Sequence, residues 1–153
     1  MMILEINSEE NMKEFGERLG SLLVGGEIIE LVGDVGAGKT TLTKGMAVGL
    51  GVGEYVQSPS FTISRIYDGH DGLKLAHYDF YRLGDAGVMA DELSETMADK
   101  KTVTIIEWAD VVGGVLPIDR LSILIGALSE NSRKVEIKAG GDNSNALLKK
   151  AEQ

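Results

Sequence analysis

Eight residues, Gly33-Asp34-Val35-Gly36-Ala37-Gly38-Lys39-Thr40, restrict the fold of this chain more than any other stretch. Glycine adopts backbone conformations that a Cβ closes to other residues. A loop rich in it can therefore turn successive N–H groups inward around an anion. The flanks agree with that reading. Glu27 to Val32 is a short apolar run with two isoleucines, the pattern of a buried strand. Thr41 to Leu50 reads as a helix, stopped by Gly49, Gly51 and Gly53. A helix that starts at the loop aims the positive end of its dipole at the same place. In this strand–loop–helix context Gly-x-x-x-x-Gly-Lys-Thr is a phosphate-binding signature rather than a bare pattern match. Gly36, Ala37 and Gly38 then supply the amide cradle. The Lys39 ammonium reaches the β- and γ-phosphates, the Thr40 hydroxyl ligates Mg²⁺, and Thr41 adds an α-phosphate contact. Asp34 either orients water or fills a variable loop position.

A hard cation on a triphosphate calls for an acid from a neighbouring strand end. Two are available. Asp79 ends the run Leu73 to Phe80, within His77-Tyr78-Asp79-Phe80-Tyr81-Arg82, and Glu107 ends Thr102 to Glu107. Acids at the ends of apolar strands beside a phosphate crevice suit metal or water positioning; solvated strand ends are the plain alternative. A lone strand histidine, His77, is more often structural than a general base. Arg82 suits a phosphate, a partner or a surface ion pair, and Tyr81 and Trp108 read as packing residues.

The remaining pattern is short. Ser8 caps a helix over Glu10 to Leu23, and Gly25-Gly26 ends it. Phe61 to Tyr67 and Leu73 to Phe80 flank the turn sequence Asp68-Gly69-His70-Asp71-Gly72, which predicts an antiparallel hairpin. Gly84 to Ala98 is acidic and helical in part, and Leu121 to Gly126 and Arg133 to Ala139 are the last strands. The expectation is a P-loop NTPase-type three-layer α/β fold over 1–139, its mostly parallel central sheet extended by an antiparallel hairpin. Strand order is not readable. The segment 140–153 is polar and glycine-rich, then briefly helical around Leu147-Leu148, and reads as a poorly ordered tail.

The net charge of −9 argues against a broad basic face for a polyanion, so any tRNA or DNA would be held mainly by a partner or by a small local basic patch. The absence of cysteine excludes disulfides, thiolate metal sites and a cysteine nucleophile. With no basic n-region at Met1 and no membrane-length apolar run, the expected location is the cytoplasm.

The motifs, taken in order, resemble those of the TsaE family, bacterial ATPases needed for threonylcarbamoyladenosine in tRNA. The loop through Thr41 is shared with many NTPases. More specific are Ser58-Pro59-Ser60-Phe61-Thr62, His77-Tyr78-Asp79-Phe80-Tyr81-Arg82-Leu83 and Ile106-Glu107-Trp108-Ala109 at these separations. The resemblance implies a nucleotide-sensing switch at Ser58 to Thr62. It implies Thr40 and Glu107 on or near Mg²⁺, with Asp79 assisting metal or water. It places Ser8 and Arg133 beside the adenine. It also implies an ATPase, slow alone, that acts on TsaB- and TsaD-like partners. Ser60 stands where the family usually has Thr, Phe80 where it has an aliphatic residue, and Asp110 where Glu is common. Two rivals remain. A small-molecule P-loop kinase usually closes an arginine-rich lid, whereas the 15 Lys and Arg here are scattered. A GTP switch commonly carries an Asn-Lys-x-Asp strand end, which this sequence lacks.

Overall fold

The computed structural model describes residues 1–34, 36–59, 62–81, 83, 87, 89–112 and 114–153. Of the residues singled out above, Val35, Ser60, Phe61, Arg82 and Gly84 lie outside that set. In chain order the elements are β1 Met2–Ile6, α1 Glu9–Ser21, β2 Ile28–Val32, α2 Lys39–Gly49, β3 Ser64–Asp68, β4 Lys74–Asp79, α3 Met89–Ala98, β5 Thr102–Glu107, β6 Leu121–Ala127, β7 Arg133–Ala139 and α4 Asp142–Ala151. The strands form one seven-stranded sheet in the order β1-β7-β6-β2-β5-β4-β3. Its centre is parallel, β2 pairing with β5 and β6, and β4 with β5. Antiparallel pairs finish both edges: the expected β3–β4 hairpin on one side, β6–β7 and β1–β7 on the other.

Period-two alternation divides the core. Odd-numbered strand residues such as Ile29, Leu31, Leu75, Ile105, Ile123 and Ile137 pack with Leu19, Leu42, Met46 and Leu147 from α1, α2 and α4. Even-numbered Ala76, Tyr78 and Ile106 pack with Leu93 of α3. Helices thus cover both faces, and the central strands are buried, as parallel sheets require.

Helices α1 and α2 meet almost backbone to backbone. A Cβ on Gly16 would lie 2.6 Å from the Leu42 carbonyl oxygen, and one on Gly20 2.2 Å from that of Met46. Reciprocally, a Cβ on Gly45 would lie 2.3 Å from the Lys13 carbonyl oxygen, and one on Gly49 2.3 Å from that of Glu17. Gly49, read as a helix stop, is instead the last residue of α2 and part of this contact. Four helix-interior or helix-end glycines lower intrinsic helix propensity. In return the start of α1, with Ser8 and Glu9, is held close beside the start of α2.

The chain after Gly140, expected to be poorly ordered, is a helix with Leu147, Leu148 and Ala151 buried. Its order comes from a residue distant in sequence. Asp119 accepts hydrogen bonds from the Ser144 amide at 2.9 Å, the Ser144 hydroxyl at 2.6 Å and the Asn143 amide at 3.1 Å. These satisfy amides that a helix start leaves without intrahelical partners. The other end is held by Arg18, which donates to the Ala151 carbonyl at 2.6 Å. The second departure from expectation is β1, an edge strand that pairs with β7. Among the described residues no helix is long and apolar enough to cross a membrane.

Candidate functional site

Parallel pairing aligns the carboxyl ends of β2, β4 and β5 at one edge of the sheet. There the chain leaves β2 into the glycine loop, β4 ends at Asp79 and β5 ends at Glu107, and Asp79 and Glu107 are register partners. Both acids share strand parity with Ile105, so they lie on the face that carries α2.

Loop geometry follows from the glycines. Gly36 and Gly38 have φ of 84° and 115°, the left-handed region that favours glycine. The Ala37 amide donates to the Asp34 carbonyl at 3.0 Å, closing a tight turn. Gly38 is the N-cap of α2, so no side chain caps the helix, and its first turn holds no acidic residue. The positive end of the helix therefore faces the cleft without a protein counter-charge of its own.

Lys39 follows at once and is 6% exposed. Its Nζ donates to the Gly33 carbonyl at 2.7 Å, lies 3.7 Å from Glu107 Oε1 and sits 4.3 Å from the centre of the Trp108 ring. Glu107 is 3% exposed, and its other oxygen, Oε2, lies 2.6 Å from Nε2 of fully buried His77. Asp79 is also buried, and its Oδ1 accepts from the Tyr81 amide at 3.0 Å. Trp108 holds a φ of 55°, a strained value for a bulky residue. Its ring stacks on Tyr81 at 4.8 Å between centroids.

These groups surround a cleft of about 530 Å³, lined by Ser8, Gly36, Ala37, Gly38, Lys39, Thr40, Thr41, Asp79, Glu107 and Arg133 among others. The structure thus brings together every residue singled out for cofactor, metal or catalytic work except Asp34. Asp34 is exposed and is not among the cleft-lining residues; its backbone carbonyl accepts from the Ala37 amide. Ser8 caps α1 as expected, its Oγ accepting from the Asn11 amide at 3.0 Å. Thr41 donates to Glu9 Oε1 at 3.4 Å, joining the two helix starts. Arg133 spends its guanidinium on backbone carbonyls: Nε donates to Ala37 at 3.1 Å and Nη1 to Ser129 and Ser132, each at 3.0 Å. It therefore pins the β6–β7 turn to the glycine loop.

Sequence reasoning did not select Glu9, Met12, Glu130 or Asn131, which also line the cleft. It read Tyr81 and Trp108 as packing residues; they do pack, Trp108 against the core and Tyr81 against its ring, and both also line the cleft. The available signal was position: each follows an acidic strand end by one or two residues. Of the switch segment, Ser58 lines the cleft. Just past that segment, Ile63 has a φ of 69° and its carbonyl accepts the Asp79 amide at 2.8 Å, so the segment's end is tied to β4.

The donor set suits a magnesium-bound triphosphate. A buried ammonium and an uncapped helix start face the cleft, together with the Thr40 hydroxyl and the carboxylates of Asp79 and Glu107 among other oxygen donors. These are hard oxygen donors of the kind Mg²⁺ takes.

Fold and site together define a class: a mixed α/β protein whose cleft sits at the carboxyl ends of parallel strands, over a buried lysine at a helix start. Within that class, the chain belongs to the TsaE family. The family model described as threonylcarbamoyl adenosine biosynthesis protein TsaE matches residues 6–135. The chain is 37% identical to the tRNA threonylcarbamoyladenosine biosynthesis protein TsaE of Streptomyces coelicolor over 136 residues, covering 86% of this chain and 92% of that one. It is 37% identical to the protein of the same name from Bacillus subtilis over 147 residues, covering 93% and 87%. The crystal structure of Bacillus subtilis YdiB superposes with a TM-score of 0.82 at 32% identity, covering 99% of this chain and 93% of that one.

Proposed function

We propose that this protein binds and hydrolyses ATP with Mg²⁺, as the cytoplasmic ATPase component of tRNA threonylcarbamoyladenosine biosynthesis, acting on a TsaB–TsaD-like partner complex. The observation that carries this reading is the setting of Lys39. Its ammonium is buried in the cleft, beside the start of α2, and its partners among the described residues are a carbonyl, a carboxylate and a ring face. A phosphate oxygen would be a stronger partner than the Gly33 carbonyl.

In this reading the amides of Gly36 to Thr41 hold the phosphates. Lys39 moves from Gly33 to the β- and γ-phosphates, and the Thr40 hydroxyl is a metal ligand. When bound, Mg²⁺ neutralises charge that develops on the phosphates. Glu107 and Asp79 would hold the metal, directly or through water, or the attacking water. Mg²⁺ usually needs only one or two protein carboxylates, because phosphates and water complete its shell. Ser8 and Arg133 flank the base. The net charge of −9 fits a component that leaves tRNA to its partners.

Hydrolysis by the isolated protein should be slow, because no arginine finger is evident in the sequence and a partner would have to complete the site. Single-turnover ATP hydrolysis with and without TsaB- and TsaD-like proteins tests this. A strong partner-dependent acceleration is expected; rapid hydrolysis by the isolated chain contradicts it. A parallel screen for phosphoryl transfer to nucleosides, nucleotides and sugars should be negative, and competition should favour ATP over GTP.

A further inference from the structure

One buried, ionisable side chain beside the cleft has no part in the scheme above. His77 is fully buried on β4, with no exposure to solvent. Its Nε2 lies 2.6 Å from Glu107 Oε2, and its Nδ1 has no hydrogen-bond partner among the described residues. A carboxylate only accepts, so Nε2 carries the proton and donates it.

Stability alone is a poor reason for a histidine here. A buried ring nitrogen without a partner is destabilising. Two of its neighbours on this face are buried and apolar: Ile105 is its register partner on β5, and Leu75 precedes it by two residues. Its register partner on β3, Arg65, is exposed, and Asp79, two residues on, is a buried acid. An aliphatic side chain would pack against Ile105 and Leu75 without leaving a ring nitrogen unpartnered. What the imidazole provides is a direction. Glu107 ends a strand, and its side chain carries freely rotating bonds. The structure fixes both of its oxygens, Oε2 by His77 and Oε1 by Lys39 at 3.7 Å.

These two constraints differ once a nucleotide is present. In the function proposed above, Lys39 leaves Glu107 for the phosphates. The His77 contact then remains. We infer that His77 is a positioning residue: by donating Nε2–H to Oε2 it holds the Glu107 carboxylate with Oε1 toward the cleft, in the loaded as well as the empty protein. This rests on the ATPase reading of the site.

The experiment compares wild type, His77→Leu, His77→Gln and His77→Asn, with Glu107→Gln alone and combined with His77→Leu. Three quantities are read: single-turnover ATP hydrolysis, MgATP affinity, and the imidazole ¹H–¹⁵N signal of the nucleotide-free protein. Loss of a contact that orients a site carboxylate typically lowers activity by about 10- to 100-fold. His77→Leu should show that loss in rate with an affinity change of less than about threefold. His77→Gln, which can reach with an N–H, should recover most of the rate, whereas the shorter His77→Asn should not. In the Glu107→Gln background His77→Leu should cost nothing more. The nucleotide-free protein should show an exchange-protected Nε2–H signal that moves in Glu107→Gln. Equal rates for the Gln and Asn variants, an undiminished penalty in the double variant, or no protected Nε2–H would overturn the inference. If His77→Leu does not fold, the Gln and Asn pair decides by itself. Absence of Lys39-dependent hydrolysis in wild type would instead remove the ATPase reading, and the inference with it.

Discussion

Replacing Gly45 by alanine in the middle of α2 sets two effects of opposite sign against each other. Helix propensity alone makes the change favourable by about 1 kcal/mol. Packing opposes it. The new Cβ would stand 2.3 Å from the Lys13 carbonyl oxygen, 2.9 Å from Gly16 Cα and 3.1 Å from the Glu17 amide nitrogen. All three are backbone atoms, so no rotamer change relieves the overlap. Helices α1 and α2 would have to separate by roughly an ångström. That opens the contacts around Leu19, Leu42 and Met46, each 1% exposed or less. Overpacking and lost contact together cost about 3–4 kcal/mol at such a site. After the propensity gain, net destabilisation is about 2–3 kcal/mol. For a chain of 153 residues that lowers the melting temperature by about 5–10 °C. Scanning calorimetry measures it, with Gly53→Ala as control, because a Cβ there meets nothing within 4 Å. The control should stay within about 0.5 kcal/mol of wild type. A Gly45→Ala protein that melts at or above wild type would show that the close helix contact is not a constraint.

Other predictions follow from the same geometry. Glu107→Gln should reduce ATP hydrolysis by about 100-fold while the protein still binds nucleotide, read by single-turnover kinetics. Trp108, the single tryptophan, lies 4.3 Å from Lys39 Nζ, so MgATP should change its fluorescence saturably as the ammonium leaves the ring; a flat response in a protein that binds MgATP would show that Lys39 stays put. Asp119→Ala should destabilise α4 by about 1 kcal/mol and speed hydrogen exchange of its amides. The Asp119 carboxyl is held below the usual carboxylate range, chiefly by the hydrogen bond from the Ser144 hydroxyl. A depressed folded value means this stabilisation is complete above the ordinary aspartate pKa of about 3.9 and fades as acid carries the pH through the lower folded value. Urea midpoints of wild type and Asp119→Ala should therefore converge in strong acid.

Local pattern was legible in the sequence, and remote pairing was not. The strand–loop–helix unit stands out because Gly33, Gly36, Gly38 and Lys39 lie close together in sequence between an apolar run and a helix. The acids Asp79 and Glu107 could be found because each ends an apolar run. The β3–β4 hairpin was readable from its Gly-rich turn. By contrast β1 is five residues long and gains its pairing from β7, far along the chain. The order of α4 depends on Asp119, whose carboxylate meets Asn143 and Ser144 only in the folded state. The glycines of α1 and α2 read as helix weakeners until the helices are seen face to face. His77 carried a partial signal: two residues from Asp79 on a strand, it had to share that residue's face. That it would meet Glu107 required the register of β4 on β5.

The account depends on a triphosphate taking Lys39 from Gly33 and Glu107. Calorimetric titration of MgATP into wild type and Lys39→Ala tests this most directly. Wild type should bind one nucleotide, and the variant should bind at least tenfold more weakly, since a charge-assisted contact is lost and Glu107 is left facing the phosphates. Equal affinities in the two proteins, or no binding by wild type, would contradict it.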